Sequence, residues 1–146
     1  MSIEDDVALL ERVPTLRLLG NTALRMLAIG SEQRDFARGD RLFDAGDEAD
    51  AGYVVQRGAF RVEDSGAEII AGPGALIGEL ALIVSMPRPS SAVAIEPSSA
   101  IRVARSLFQR VLESDPAAAR RLRDELATRT SQLASDILMA GAKLST

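Results

Sequence analysis

The chain of 146 residues contains no cysteine and no histidine. The first absence removes disulfides, thiol nucleophiles and thiolate metal sites. The second removes the commonest general base and the usual zinc ligand. Most enzyme classes lose their chemistry here, and no catalytic residue, metal or cofactor is expected. Cations are in the minority too: 17 Lys and Arg stand against 21 Asp and Glu, a formal net charge of −4. Phosphate backbones are bound by basic footprints, so no nucleic-acid partner is expected. Arg120, Arg121 and Arg123 cluster locally, and we read them as the solvated face of a helix, with partner contact as the alternative. No apolar run approaches the ~18 residues of a membrane span, and the start, Met1 to Asp6, is acidic rather than basic. No membrane association is expected, and the expected location is cytoplasmic.

What is present suffices for one domain over 1–146. With 47% hydrophobic and 26% charged residues, the chain is too apolar to stay disordered, and its length buries about two-thirds of the unfolded surface. Helical spacing governs 1–31, where Val7, Leu10, Leu16, Leu19, Leu24 and Leu27 recur and Pro14 and Gly20-Asn21 punctuate two or three short helices. Asn21 is the expected N-cap of the last. From 32 to 104 the texture becomes that of strands and turns. The expected strands are Gln33–Phe36, Arg41–Asp44, Tyr53–Gln56, Ala59–Glu63, Glu68–Ile70, Ala75–Ile77, Ser91–Ile95 and Ala100–Val103. Eight short antiparallel strands imply a jelly-roll β-barrel. Helical spacing returns over 105–146, with Leu107, Val111 and Leu112 in one piece and Leu122, Leu126, Leu133 and Ile137 in a longer one. Ser114 or Asp115 before Pro116 marks the start of the longer piece. Fraying is expected from about Gly141. The fold class is thus mainly β with flanking helices.

One segment breaks the strand pattern. Gly78 to Ser85, GELALIVS, reads as a helical turn or two inside the β region. Glu79 is surrounded in sequence by Leu76, Ile77, Leu80, Leu82, Ile83 and Val84, so a carboxylate is carried toward an apolar interior, where leaving it unpaired costs several kcal/mol. Arg88, backbone amides, a ligand hydroxyl or a combination must compensate it. The first amides of a short helix after Gly78 would form an anion cradle, and Gly78 allows a ligand close to the backbone. Arg88 brings a forked cation suited to phosphate, stiffened because Met86 and Arg88 both precede prolines. A sugar hydroxyl joined to a phosphate would satisfy carboxylate, amides and guanidinium together.

These residues carry a resemblance. GELAL, a short spacer, Pro87-Arg88, small hydroxyl residues and a β-branched strand resemble the phosphate-binding cassette of the cyclic-nucleotide-binding domain family. Phe36, Gly39-Asp40, Leu42-Phe43, Gly46-Asp47, Tyr53-Val54-Val55, Gly58 and Arg61-Val62 follow in the family's order, and the similarity spans nearly the whole chain. The resemblance implies that Glu79 accepts a hydrogen bond from the ribose 2'-hydroxyl, that Gly78, Leu80 and Ala81 supply backbone contacts, and that Arg88 pairs with the cyclic phosphate. Ser90 and Ser91 would lie near phosphate and purine. The C-terminal helix would act as a lid, with Leu126, Leu133 or Ile137 over the base. One position departs from the pattern: Pro89 follows the arginine and offers neither the amide nor the hydroxyl found there in relatives. This weakens the case for cGMP and makes cAMP the expected ligand.

The plainer readings are these. Glu79 and Arg88 could form a structural ion pair, and Ser90 and Ser91 could be ordinary strand-start serines. Gly72, Gly74 and Gly78 mimic a dinucleotide fingerprint but are wrongly spaced. Asp44, Asp47, Glu48 and Asp50 lack the spacing of a calcium loop and read as a solvated turn. The stripe Leu122, Leu126, Leu133, Ala140 and Leu144 suits a lid or a homodimer seam through the C-terminal helix. If 1–146 is the full product, output falls to an unidentified protein effector or to self-association. The alternative function is a protein–protein interaction module that keeps the fold without the ligand; a cupin-type enzyme fails for want of histidine ligands.

Overall fold

The computed structural model describes residues 2–64 and 66–128. Three helices open the chain: α1 (Ile3–Glu11), α2 (Pro14–Arg17) and α3 (Asn21–Gly30). Ser2 caps α1 in a reciprocal box, its Oγ accepting from Asp5 N at 3.2 Å while Ser2 N donates to the Asp5 carboxylate at 3.4 Å. The acidic start is thus a helix start, with Glu4, Asp5 and Asp6 at the positive end of the dipole. Pro14 takes the first position of α2. Asn21 is not the N-cap of α3 as expected: it is the first helical residue, and Gly20 caps without a side-chain bond. Turn chemistry at Gly20-Asn21 was legible, but which residue turns was not.

Ten strands follow: β1 (Glu32–Phe36), β2 (Arg41–Phe43), β3 (Glu48–Ala49), β4 (Ala51–Arg57), β5 (Phe60–Asp64), β6 (Ala67–Ala71), β7 (Leu76–Ile77), β8 (Met86–Pro87), β9 (Ala92–Ala94) and β10 (Ser98–Ala104). They form two four-stranded antiparallel sheets, ordered β1-β10-β4-β7 and β2-β9-β5-β6, and a small β3-β8 ribbon. The mainly β architecture with flanking helices agrees with expectation, and each of the eight expected strands overlaps an observed one. The sheets are not closed into a barrel. The added pair, β3 and β8, has only two residues per strand, and Pro87 reads as a breaker although an edge strand tolerates it.

The central strands of the first sheet, β4 and β10, are buried on both faces and so lack the polar alternation of a half-exposed strand, whereas β1 at its edge is exposed. Tyr53 and Val55 of β4 point into the roll with Phe60, Ala92, Ala94 and Ala100. Val54, Ile101 and Val103 point the other way, into a helical cluster with Leu10, Leu16, Leu24 and Leu27. After β10 come α4 (Arg105–Ser114) and helix α5, described over 116–128. Asp115 starts α5, its Oδ1 accepting from Ala118 N at 3.1 Å, as the Asp-Pro signal implied. Arg120, Arg121 and Arg123 are exposed, yet Arg121 is tied down: its Nε and Nη2 donate to the carbonyls of Leu18 and Leu19 at 2.7 and 2.9 Å, closing the end of α2. Among the described residues no helix is long and apolar enough to cross a membrane.

The β4–β5 turn depends on Gly58, whose φ is +79°. A Cβ there would collide with Ser98 Oγ and lie 2.6 Å from the Pro97 carbonyl. Ser98 is buried and bonded to both Ala59 N and the Glu96 carbonyl, so it cannot yield cheaply. Gly58→Ala is expected to lower stability by about 2 kcal/mol or more, read by urea denaturation.

Candidate functional site

The link between β7 and β8 folds as the sequence suggested, but tightly: Glu79–Leu82 form a single 3-10 turn. Gly78 precedes it in the left-handed region, at φ +79° and ψ +41°. Ala81 N donates to the Gly78 carbonyl at 3.1 Å, which leaves the amides of Glu79 and Leu80 ahead of the turn's first hydrogen bond. The chain then returns through β8, paired as Glu48↔Pro87 and Ala49↔Met86. Arg88 extends that pairing, its N donating to the Asp47 carbonyl at 2.7 Å and its carbonyl accepting from Gly46 N at 2.8 Å. The backbone of Arg88 is therefore fixed by a neighbouring loop as well as by the prolines.

The guanidinium lies where burial is costly. Arg88 is 4% exposed, and among the described residues no carboxylate stands within ion-pair distance of it. The Glu79–Arg88 ion pair, the structural alternative, is not formed. Arg88 Nη2 donates to the Ala51 carbonyl at 2.8 Å, and Cζ sits 4.1 Å above the Phe43 ring and 5.8 Å from that of Tyr53. Its Nε is buried without a hydrogen-bond partner. Loss of hydration lowers the Arg88 pKa from its ordinary value, against the opposing influence of Tyr53, Asp50 and Asp47. A guanidinium stays protonated at neutral pH regardless, so the site is a dry, under-neutralised cation. Gly78 is part of this arrangement: a Cβ on it would come within 2.6 Å of Arg88 Nη1.

Gly78, Glu79, Leu80, Ala81, Arg88, Pro89 and Ser90 line one cleft of about 180 Å³, together with Phe43, Ala49, Val62, Ile77 and Met86. Ser91, the eighth residue singled out in the sequence, stands apart: its Oγ accepts from Ala45 N at 2.8 Å, a loop-fastening role. Glu79 is half-buried and accepts a 2.7 Å hydrogen bond at Oε1 from the hydroxyl of Thr15, on α2. Compensation from a residue 64 positions away was invisible in the local sequence. Leu126 is not among the residues that line this cleft. It packs on the helical cluster and lines a separate groove with Leu82, Ile83, Phe108, Leu112 and Leu122. Leu122 and Leu126, the described part of that apolar stripe, pack between α5 and α4. Leu133 and Ile137 lie outside the described residues.

Arg105 was missed. Its Nη1 donates to the carbonyls of Ala49, Ala81 and Val84 at 2.7, 3.2 and 3.2 Å, joining β3 to both ends of the second half of the 78–85 segment. A cation at the first position of a helix opposes the dipole, and that mismatch was the available signal that Arg105 serves something else.

With uncompensated charge as its main cost, Arg88→Met should leave ligand-free stability within about 1 kcal/mol of the parent, or raise it. A loss above about 2 kcal/mol in denaturant unfolding would show that the guanidinium is structural.

The family model described as "Cyclic nucleotide-binding domain" matches residues 33–115, more than half of the chain. A cAMP-dependent protein kinase regulatory subunit from Yarrowia lipolytica is 30% identical over 116 residues, which are 77% of this chain and 31% of that protein. The chain thus spans under a third of the length of this relative. Among solved structures, a cyclic nucleotide-binding-like protein from Brucella abortus is 36% identical with a TM-score of 0.67, covering 75% of this chain and 98% of that one. The N-terminal domain of a transcriptional regulator from Streptomyces coelicolor is 29% identical with a TM-score of 0.78, covering 86% and 94% respectively.

Proposed function

The chain belongs to the cyclic nucleotide-binding domain family, and from that premise we propose that it is a cAMP sensor, acting as one domain over 1–146 in the cytosol. The observation that carries the reading is the Arg88 guanidinium, buried beside Glu79 in one cleft without a carboxylate partner among the described residues. An anionic ligand would supply the missing counter-charge, and a cyclic phosphate fits the forked donor. Glu79, which lines the same cleft, would accept a hydrogen bond from the ribose 2'-hydroxyl. The backbone of Gly78, Leu80 and Ala81 would contact ribose and phosphate, with Ser90 close by. Ser91, held by Ala45, is the weakest member of that set.

The preference for cAMP rests on Pro89, which brings no hydroxyl to the cleft, and is consistent with the names of kinase regulatory relatives. No catalysis is proposed; the family model that matches the chain describes a binding domain. Binding would shift the population toward a state in which the 78–88 segment closes on phosphate. Leu82 and Ile83 of that segment line the groove that also receives Leu126, so the shift would reach α5 and, through it, a protein effector or a second copy of the chain. Leu126 would then transmit rather than cover, while Leu133 and Ile137 remain the lid candidates.

A ligand-free interaction module is the second reading, and Pro89 favours it, because one amide donor to the anion is missing. Calorimetric titration separates the two. Wild type should bind cAMP more tightly than cGMP, Arg88→Ala should weaken cAMP by about a hundredfold or more, and absence of heat at millimolar ligand would favour the interaction module. Pro89→Ala, which restores an amide, is expected to tighten cAMP binding about five- to tenfold in the same assay.

A further inference from the structure

Both backbone partners of Arg88 belong to a loop with little of its own to hold it: the Asp47 carbonyl accepts from Arg88 N, and Gly46 N donates to the Arg88 carbonyl. Ala45, Gly46, Asp47 and Glu48 are all exposed, so no side chain from 45 to 48 is anchored in the core. Asp47 N donates to the Asp44 carbonyl at 3.1 Å, and Asp44 N to Asp47 Oδ2 at 3.0 Å. Those two bonds shape the turn without fixing it to the roll. An exposed turn of this kind moves more easily than the strands beside it.

The tie to the roll comes from Ser91. Pro89 has no amide with which to continue the pairing beyond Arg88. Two residues later the Ser91 hydroxyl accepts from Ala45 N at 2.8 Å. Ser91 is itself set in the second sheet: its carbonyl accepts from Glu63 N of β5 at 3.1 Å, and Ala92 beside it is fully buried. It is not among the residues that line the cleft. The connection runs from β5 through Ser91 to Ala45, and from the next two residues of the loop to Arg88.

We propose that Ser91 is a positioning residue for the guanidinium: by fastening the 45–47 loop it fixes where Arg88 meets the phosphate, without touching the ligand itself. A small shift of the Arg88 backbone is carried to a forked donor whose bonds to an anion depend on distance and angle. This rests on the reading of the cleft as a cyclic-nucleotide site.

The test has two arms, calorimetric titration with cAMP and amide hydrogen exchange of the ligand-free protein followed by NMR. Ser91→Ala should speed exchange at Gly46 and Arg88 about five- to tenfold and weaken cAMP by a similar factor. Ser91→Thr, which keeps the hydroxyl, should restore both. In an Arg88→Ala background the same Ser91→Ala change should alter cAMP affinity less than about twofold, because the route to the ligand is gone. Equal weakening in both backgrounds would show a direct contact or a general loss of packing and overturn the proposal. Unchanged cAMP affinity or unchanged exchange at Gly46 and Arg88 in Ser91→Ala would overturn it as well. If Arg88→Ala binds too weakly to titrate at millimolar cAMP, the exchange rates and the affinity of Ser91→Ala decide between these outcomes. Wild type that binds no cAMP would overturn the reading of the cleft, whereas wild type that binds without this coupling would overturn the role of Ser91 alone.

Discussion

At 4% exposure and, among the described residues, without a carboxylate partner, the Arg88 guanidinium is a cost that the remainder of this half of the molecule is arranged to bear. Taking a cation out of water costs several kcal/mol even after relaxation. The partial compensations are all local. Ala51 offers a carbonyl, Phe43 offers the face of its ring, and the 46–47 loop clamps the backbone on both sides of the residue. Gly78 contributes by having no side chain, since the Nη1 atom occupies the space a Cβ would need. Asp50 and Asp47 act on it only from beyond ion-pair distance, so the proposed anionic ligand would still find a counter-charge to supply.

The same segment is connected outward at two further points. Thr15 holds Glu79 from the N-terminal side, and Arg105 holds the Ala81 and Val84 carbonyls from the start of α4. Leu82 belongs to the helical cluster, with Phe108 and Leu122. A change in the 3-10 turn would therefore be felt by helices that precede and follow the roll in sequence, and a turn this short has few internal bonds with which to resist. The proposed binding element and the connecting element are one stretch of eleven residues, 78–88.

Much of this was legible from the chain alone, where the physics was local. Helical and strand periods located the helix-roll-helix order because core-facing residues must repeat with the geometry of their element. Gly78, Glu79 and Arg88 stood out because their chemistry conflicts with their apolar neighbours. What the sequence hid was pairing at a distance. The Thr15–Glu79 bond, the Arg105 clamp and the Ser91–Ala45 bond join positions 64, at least 21 and 46 residues apart, and no spacing rule reports them. The place of Leu126, in the groove beside α4, was hidden for a related reason: an apolar helical stripe shows that a face is buried, not what buries it.

The alternation along β4 has a consequence for how such a protein can diverge. Tyr53 and Val55 face the compartment beneath the cleft, while Val54 between them faces the helices. Neighbouring codons therefore write to different compartments. Lineages can retune what the roll accepts through odd-numbered positions of this strand and what the helices convey through even-numbered ones, so recognition and output can drift apart in evolution without either having to wait for the other.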